Sequence, residues 1–219
     1  MIVYATHKGG KYLPFDESLK VDDRSQRNLY VNLTNQCNCD CVFCLRQKKQ
    51  MARESSLWLE NDPSVDEIKT ELLKAPWHLI KEAVICGFGE PTLRLPELIS
   101  VLTFIKSTYS NVPTRLNTNG LAELEYKKNI SAQFKGILDT VSISLNASNA
   151  ERYLKLTRAK YGMQSHEAML TFAEHMRPYV PNVVLTIVDK VNSDDEIARC
   201  QKICDERNLI LRVRPYEDS

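Results

Sequence analysis

Four of the seven cysteines in the 219-residue chain fall within eight consecutive positions, at Cys37, Cys39, Cys41 and Cys44. Cys37, Cys41 and Cys44 have the spacing C-x3-C-x2-C, and Cys39 is the extra thiol between the first two. Thiolates held so close together in one loop are ligands for a soft metal, either zinc or an iron–sulfur cluster. The segment therefore predicts a metal centre.

The number of available ligands separates the two kinds of metal centre. A structural zinc ion takes four ligands, usually as two separated cysteine pairs of short spacing. No second pair has that spacing, because Cys86 is alone and Cys200 and Cys204 lie far along the chain. Cys39 as a fourth ligand would strain the loop. Three cysteines on a [4Fe–4S] cube leave one iron open, which makes a reactive site, whereas a zinc ion held by four thiolates is a closed one.

Composition, net charge and the lack of targeting patterns narrow the class of protein. Hydrophobic residues make up 43% and charged residues 26% of the chain, which is ordinary globular composition. The net charge of +1 gives no indication of nucleic acid or an anionic membrane as a partner. No segment has the pattern of a signal peptide or a membrane span. We therefore expect a cytoplasmic protein whose thiols stay reduced.

Short β-rich segments alternate with amphipathic helices from residue 28 onward. Six segments are strand-like: YVNLT, EAVICGF, RLNTNG, DTVSISLN, NVVLTIV and LILRVR. Serine followed three residues later by glutamate, a helix-start signature, occurs at Ser64, Ser148 and Ser193. Cys200 and Cys204 fall on the apolar face of the last predicted helix, so we expect them, and Cys86 within its strand, to be core residues.

The alternation of strands and helices predicts an α/β fold with a parallel sheet and right-handed crossovers. A closed eight-stranded barrel takes about 250 residues, and six strands are too few for one. We expect a partial (β/α)6 TIM-like barrel, with a flat doubly wound sheet as the alternative. No linker or repeat is visible, so residues 1–219 are assigned to one domain, with 1–27 as an N-terminal extension and 28–219 as the barrel core.

One face of at least four predicted strands is polar. The residues on these faces are Asn32 and Thr34, Arg115, Asn117 and Asn119, Ser142, Ser144 and Asn146, and Arg212 and Arg214. A filled barrel interior would instead be apolar, and buried polar groups need partners. The pattern favours an interior that holds a polar ligand, and a sheet face exposed to solvent is the alternative.

Several motifs together resemble the radical S-adenosylmethionine (SAM) superfamily. Cys37, Cys41, Phe43 and Cys44 match its C-x3-C-x-aromatic-C motif after a first strand. GFGEP (87–91) resembles its GGEP element with a phenylalanine in place of one glycine, and TNG and SISLNA resemble its later strand-end motifs. The resemblance implies a [4Fe–4S] cluster on the three cysteines, with SAM on its open iron. It implies cleavage of SAM to a 5′-deoxyadenosyl radical that abstracts hydrogen from a substrate.

The resemblance also implies which residues contact SAM. They are Phe43 near the adenine, Gly87, Gly89, Glu90 and Pro91 around the methionine amino group, Asn117, Asn119, Ser144 and Asn146 at the ribose and carboxylate, and Arg158 at the carboxylate. Arg212 and Arg214 are substrate candidates, because two inward guanidinium groups suit a carboxylate or phosphate. The alternative for these arginines is an ion pair with an acid such as Glu217.

More narrowly, LYVNLTNQCNCDCVFCLRQ and ILRVRPY resemble small radical SAM proteins associated with TatD-type hydrolases, whose substrate is unassigned. This implies a functional link to a TatD-like metal-dependent hydrolase, and radical SAM chemistry implies a one-electron donor of flavodoxin or ferredoxin type. Two other functions stay open. One is activation of a partner protein by forming a glycyl radical, and the other is a zinc-stabilised, non-catalytic scaffold for the hydrolase.

Overall fold

A computed structural model of the protein describes residues 1–7, 11–21, 25–48 and 56–216. Its strands are β1 Val3–His7, β2 Lys11–Pro14, β3 Arg27–Val31, β4 Ile80–Ile85, β5 Thr114–Thr118, β6 Thr140–Ser144, β7 Asn182–Val188 and β8 Ile210–Arg214. Its helices are α1 Phe15–Val21, α2 Leu45–Lys48, α3 Val65–Leu73, α4 Leu95–Thr108, α5 Ala122–Tyr126, α6 Ala150–Thr157, α7 Gln164–Met176 and α8 Asp194–Glu206.

All described strands belong to one sheet, in the order β2-β1-β3-β4-β5-β6-β7-β8. Neighbours from β3 to β8 pair in parallel. The edge strands β2 and β8 do not pair with each other, so the described sheet is open. This confirms the predicted partial barrel with six parallel strands.

The amino-terminal segment adds a hairpin that the strand pattern did not predict. β1 pairs antiparallel with β2, and β1 also pairs antiparallel with β3 through Val3 and Tyr4. β1 and β2 are therefore part of the same sheet rather than an appendage to the barrel. The assignment of 1–219 to one domain stays a prediction.

The predicted helix starts are correct at two of three positions. Ser64 and Glu67 form a complete capping box at α3, and Ser193 caps α8. The assignment of Ser148 is wrong, because the side chain of Asn149 caps α6 by accepting from the backbone of Arg152. The backbone N–H of Ser148 instead donates to Glu196 of α8 at 2.7 Å.

Helices bury the outer face of the sheet and form the core. Val141, Ile143 and Leu145 of the sheet are fully buried, and so are the apolar residues of α4 and α7 that face it: Leu98, Val101, Leu102, Ile105, Met169, Phe172, Ala173 and Met176. Cys200 and Cys204 are fully buried as free thiols, which confirms their predicted place in the core. Burial raises their pKa values to about 12 and about 11. In the described ranges no helix has the length and apolar character needed to span a membrane.

Candidate active site

A cavity of about 470 Å³ opens at the carboxyl ends of the parallel strands, where barrel enzymes place their active sites. Its lining comes from segments that follow successive strands and from the inward faces of the strands themselves. Among the predicted site residues, it includes Cys37, Cys41, Phe43, Cys44, Gly87, Gly89, Glu90, Asn117, Asn119, Ser144, Asn146, Arg212 and Arg214. The polar strand faces thus surround a cavity, as predicted.

Asn32, Thr34 and Ser142 are exceptions, since none of them lines the cavity. β3 ends before the first two, at Val31. Asn32 donates from Nδ2 to the carbonyl of Leu57 at 2.7 Å, and the hydroxyl of Thr34 accepts from the backbone of Gln36 at 3.0 Å. Both residues are buried and hold the loops beside the cavity.

The cysteine loop is fixed to the carboxyl end of α6. The backbone N–H groups of Asp40 and Val42 donate to the carbonyls of Thr157 and Leu156, both at 2.9 Å. These carbonyls belong to the last turn of a helix, where they have no partner within the helix. Cys37, Cys41 and Cys44 all line the cavity from this loop as free thiols.

Cys39 has a different environment from the three motif cysteines. It is 5% exposed, and its sulfur accepts from Nδ2 of Asn119 at 3.6 Å. Hydrogen bonds to Cys37 and Cys41 raise the pKa of Cys39, and the bond from Cys39 lowers the pKa of Cys37. Cys39 is therefore harder to ionise than Cys37.

The three motif cysteines are free thiols, and thiolates are the ligands of iron–sulfur clusters. In the described part of the chain, no group of three cysteine, histidine, aspartate or glutamate side chains converges closely enough to hold one metal ion. In a [4Fe–4S] cube each thiolate binds a different iron, so the three sulfurs need not meet at a point. The arrangement of Cys37, Cys41 and Cys44 accordingly suits a cube.

The segment GFGEP packs directly on the chain that leaves β3. The backbone N–H of Gly89 donates to the carbonyl of Thr34 at 3.0 Å, and a Cβ at Gly89 would lie 2.3 Å from that oxygen. A Cβ at Gly87 would lie 1.9 Å from Oδ1 of Asn32. Glycine is required at Gly89 because the two backbones approach so closely, and at Gly87 because the buried side chain of Asn32 fills the space that a Cβ would take.

Phe88, the departure from the superfamily pattern, has its own packing. Its ring lies 5.3 Å from that of Trp58, and its side chain joins a small apolar cluster with Tyr4, Tyr12 and Leu57. The substitution therefore anchors the loop to the amino-terminal hairpin while Gly87 and Gly89 keep the backbone path.

Glu90 is 3% exposed and its carboxylate is fully occupied by protein donors. Oε1 accepts from the backbone and hydroxyl of Thr92 at 3.1 and 2.7 Å and from the hydroxyl of Thr118 at 2.7 Å. Oε2 accepts from the backbone of Asn119 at 2.7 Å. Burial raises the pKa of this carboxyl. Glu90 thus braces the ends of β4 and β5, while Pro91 is buried behind it outside the cavity lining.

We expect Glu90→Gln to lower the free energy of unfolding by about 1–3 kcal/mol, because the amide nitrogen would face the Asn119 N–H and leave it unpaired. Denaturant unfolding of the two proteins measures the difference. The control is Glu71→Gln, which removes an exposed ion pair with Lys74 and should cost less than about 1 kcal/mol. Equal losses in both variants would contradict the bracing role.

Two buried polar atoms that line the cavity have no partner among the described residues. They are the hydroxyl of Tyr153 and Oδ1 of Asn117. Buried polar groups are nearly always hydrogen-bonded in a complete site. The two atoms therefore indicate a ligand with polar groups in this cavity, as SAM and a cluster would provide.

Arg158, predicted at the SAM carboxylate, is not among the residues that line the cavity. It ends α6 in a left-handed conformation with φ of 48°, and its side chain is 58% exposed. Its guanidinium pairs with Asp40 at 3.2 Å. The turn at the helix end directs this arginine to the outside of the cysteine loop.

Arg212 and Arg214 line the cavity beside a third arginine, Arg115 of β5. Arg115 pairs with Glu82 at 2.8 Å, and Arg212 donates to the hydroxyl of Ser142 at 2.9 Å. Burial and the charges of the other two arginines lower the pKa of Arg212. Within the described residues Arg214 has no side-chain partner. Glu217, the alternative partner, lies outside the described residues.

Sequence reasoning missed part of the cavity wall. Tyr4 and Tyr12 come from the unpredicted hairpin, and Tyr4 stacks on Tyr30 with ring centroids 5.1 Å apart. The core assignment of Cys86 is wrong, because Cys86 follows β4 and lines the cavity. Tyr30 could have indicated an aromatic part of this wall, because side chains two residues apart in a strand point to the same face and Tyr30 therefore shares a face with Asn32.

Comparison with models of protein families shows to which family the chain belongs. The model of the Radical SAM superfamily matches residues 31–202, which is well over half of the chain. The chain belongs to the radical SAM superfamily. Its cofactors are a [4Fe–4S] cluster and SAM.

The curated relatives carry one recurring name. The protein of Corynebacterium glutamicum named GTP 3′,8-cyclase is 32% identical over 169 residues, covering 70% of this chain and 41% of that protein. The Thermococcus kodakarensis protein named probable GTP 3′,8-cyclase is 29% identical over 195 residues, covering 89% of this chain and 58% of that protein. The chain spans about half the length of the curated relatives it matches.

Solved structures share the fold at low sequence identity. Streptococcus suis SuiB bound to the precursor peptide SuiA has a TM-score of 0.64 at 18% identity, covering 91% of this chain and 42% of that one. The structure of anSMEcpe with bound AdoMet has a TM-score of 0.60 at 19% identity, covering 86% and 51%. These likenesses support the fold.

Proposed function

We propose that the protein generates a 5′-deoxyadenosyl radical from SAM and uses it to abstract hydrogen from a small anionic substrate. The observation that carries the proposal is that the three motif cysteines and three arginines from β5 and β8 line one cavity. When bound, the cluster and SAM supply the radical by one-electron cleavage of SAM. The predicted cluster ligands are Cys37, Cys41 and Cys44.

The residues between these two groups have binding and shielding roles in this proposal. Asn117, Asn119, Ser144 and Asn146 line the cavity and offer polar atoms to SAM. The aromatic wall of Tyr4, Tyr12 and Tyr30 limits the access of water, which matters because water and oxygen quench radicals.

The arginines give the substrate side its charge preference. A cleft lined by one sign of charge attracts ligands of the opposite sign, and the guanidinium fork suits phosphate and carboxylate. An anion would also relieve the repulsion among Arg115, Arg212 and Arg214. GTP is the first substrate to test, because it carries a triphosphate and because relatives of this chain are named GTP 3′,8-cyclase.

The further parts of this proposal come from the sequence. A flavodoxin or ferredoxin would supply the electron, and the protein would act in the cytoplasm. The link to a TatD-like hydrolase stays a prediction, and no described feature favours activation of a partner protein through a glycyl radical. The zinc scaffold is not retained, since the family and its cofactors provide for catalysis.

We expect anaerobically reconstituted protein with SAM and dithionite to release 5′-deoxyadenosine, and to consume added GTP. Replacing both β8 arginines (Arg212→Gln with Arg214→Gln) should raise KM for the anionic substrate at least ~10-fold, because two charge-assisted contacts are lost. Cleavage of SAM without substrate should persist. Chromatography measures the 5′-deoxyadenosine released from SAM and the GTP consumed.

The control for this experiment is Arg177→Gln, which removes a surface arginine that contacts the carbonyl of Arg207. It should leave KM unchanged. Protein that releases 5′-deoxyadenosine but leaves GTP intact would redirect the search to other anions. Loaded protein that never cleaves SAM would contradict the proposed function itself.

A further inference from the structure

The hydroxyl of Tyr153 is a buried polar group that the protein leaves without a partner. Tyr153 lies on α6, is 1% exposed and lines the cavity. Its hydroxyl oxygen is fully buried and makes no hydrogen bond with any described residue. A buried hydroxyl without a partner costs stability, so its retention needs a reason outside the folded chain.

The position of Tyr153 on α6 sets what its hydroxyl can reach. Thr157, one helical turn later on the same face, also lines the cavity. The carbonyls of Leu156 and Thr157 accept the backbone N–H groups of the cysteine loop. The ring of Tyr153 therefore extends from a helix that is fixed to the loop carrying Cys37, Cys41 and Cys44.

Neighbouring groups hold the ring without satisfying its hydroxyl. His166 packs edge-on against the ring with centroids 5.6 Å apart, but Nε2 of His166 is bonded to the carbonyl of Ala147. Burial, followed by the charges of Cys39, Cys41, Glu90 and Cys37, raises the pKa of Tyr153. The hydroxyl thus stays protonated near the thiols, yet it bonds to none of them.

We propose that the Tyr153 hydroxyl donates a hydrogen bond to a sulfur of the [4Fe–4S] cluster and thereby raises the cluster's reduction potential. Hydrogen bonds to cluster sulfurs are one of the determinants of this potential, because they stabilise the more negative, reduced state. Through this hydrogen bond Tyr153 would make the cluster easier to reduce. The inference rests on the proposed binding of the cluster by Cys37, Cys41 and Cys44.

The test is Tyr153→Phe in the reconstituted full chain without SAM. Redox titration followed by absorption should show a midpoint potential more negative by about 59 mV, which is a tenfold change in the one-electron equilibrium. The control is Tyr126→Phe, because the Tyr126 hydroxyl bonds Leu93 and Leu95 away from the cavity lining. Its potential should equal that of the wild type.

The cluster-free protein gives an independent readout. Removing a hydroxyl that has no partner should raise the melting temperature of cluster-free Tyr153→Phe by about 2–4 °C, whereas Tyr126→Phe should lower it. An unchanged potential in a fully loaded Tyr153→Phe protein would overturn the role of Tyr153 alone. Wild-type protein that takes up no cluster would instead overturn the proposed function.

Discussion

After anaerobic reconstitution, Cys41→Ala protein is expected to lack an intact cluster and to release at least ~100-fold less 5′-deoxyadenosine than the wild type. The thiolate of Cys41 is a predicted ligand, and substitution of groups that merely support metal ligands already costs roughly 10–100-fold. Cys39, two positions away in the same loop, is buried, and its hydrogen bonds to Cys37 and Cys41 raise its pKa. It should not replace the missing ligand. Iron and sulfide assays with an absorption spectrum measure the loss.

The matched control is Cys200→Ala, which removes a thiol from the core on α8. It should keep the full iron content and the full rate of SAM cleavage, while the smaller side chain costs about 1 kcal/mol of stability. A Cys41→Ala protein that still holds four irons would contradict the ligand assignment. So would a Cys200→Ala protein that loses them.

Features set by short stretches of sequence could be predicted. The spacing of Cys37, Cys41 and Cys44 is local, and so is the capping box at Ser64, because each depends on residues within one or two turns of chain. The alternation of strands and helices restricts the sheet to few topologies. The open parallel barrel and the polar lining of its cavity followed from these patterns.

Features set by contacts between distant segments could not be predicted in the same way. Arg158 turns outward because Arg158 itself, the residue that follows α6, adopts a left-handed conformation, which no nearby glycine announced. The partnerless hydroxyl of Tyr153 depends on the docking of α6 against a loop more than a hundred residues earlier. Cys86 faces the cavity because β4 ends one residue before it.

Gly89→Ala is expected to disturb both the fold and the site. A Cβ at this position would lie 2.3 Å from the carbonyl oxygen of Thr34 and 2.5 Å from that of Gln36. Both obstacles are backbone atoms, so the loop itself must move, and the hydrogen bond from Gly89 to Thr34 must lengthen. We expect a loss of about 1–3 kcal/mol in the free energy of unfolding.

Function should suffer more than stability in this variant. The displaced loop also carries Glu90, which fixes the backbone of Asn119 at the end of β5. A shift near 1 Å in a positioning loop can lower a rate roughly 100-fold, and we expect a loss of that size in SAM cleavage. Equilibrium dialysis should show weaker SAM binding to the cluster-loaded variant.

Gly136→Ala separates the effect of the close contact from the effect of losing a glycine. Gly136 has a φ of +76° with no atom within 4 Å of an added Cβ, so alanine there carries only backbone strain of about 1 kcal/mol. It should bind SAM like the wild type. If Gly136→Ala lost SAM binding as severely as Gly89→Ala, general destabilisation would explain both results. If Gly89→Ala bound SAM normally, the loop would be free to move without consequence, and its predicted role around the methionine amino group would be wrong.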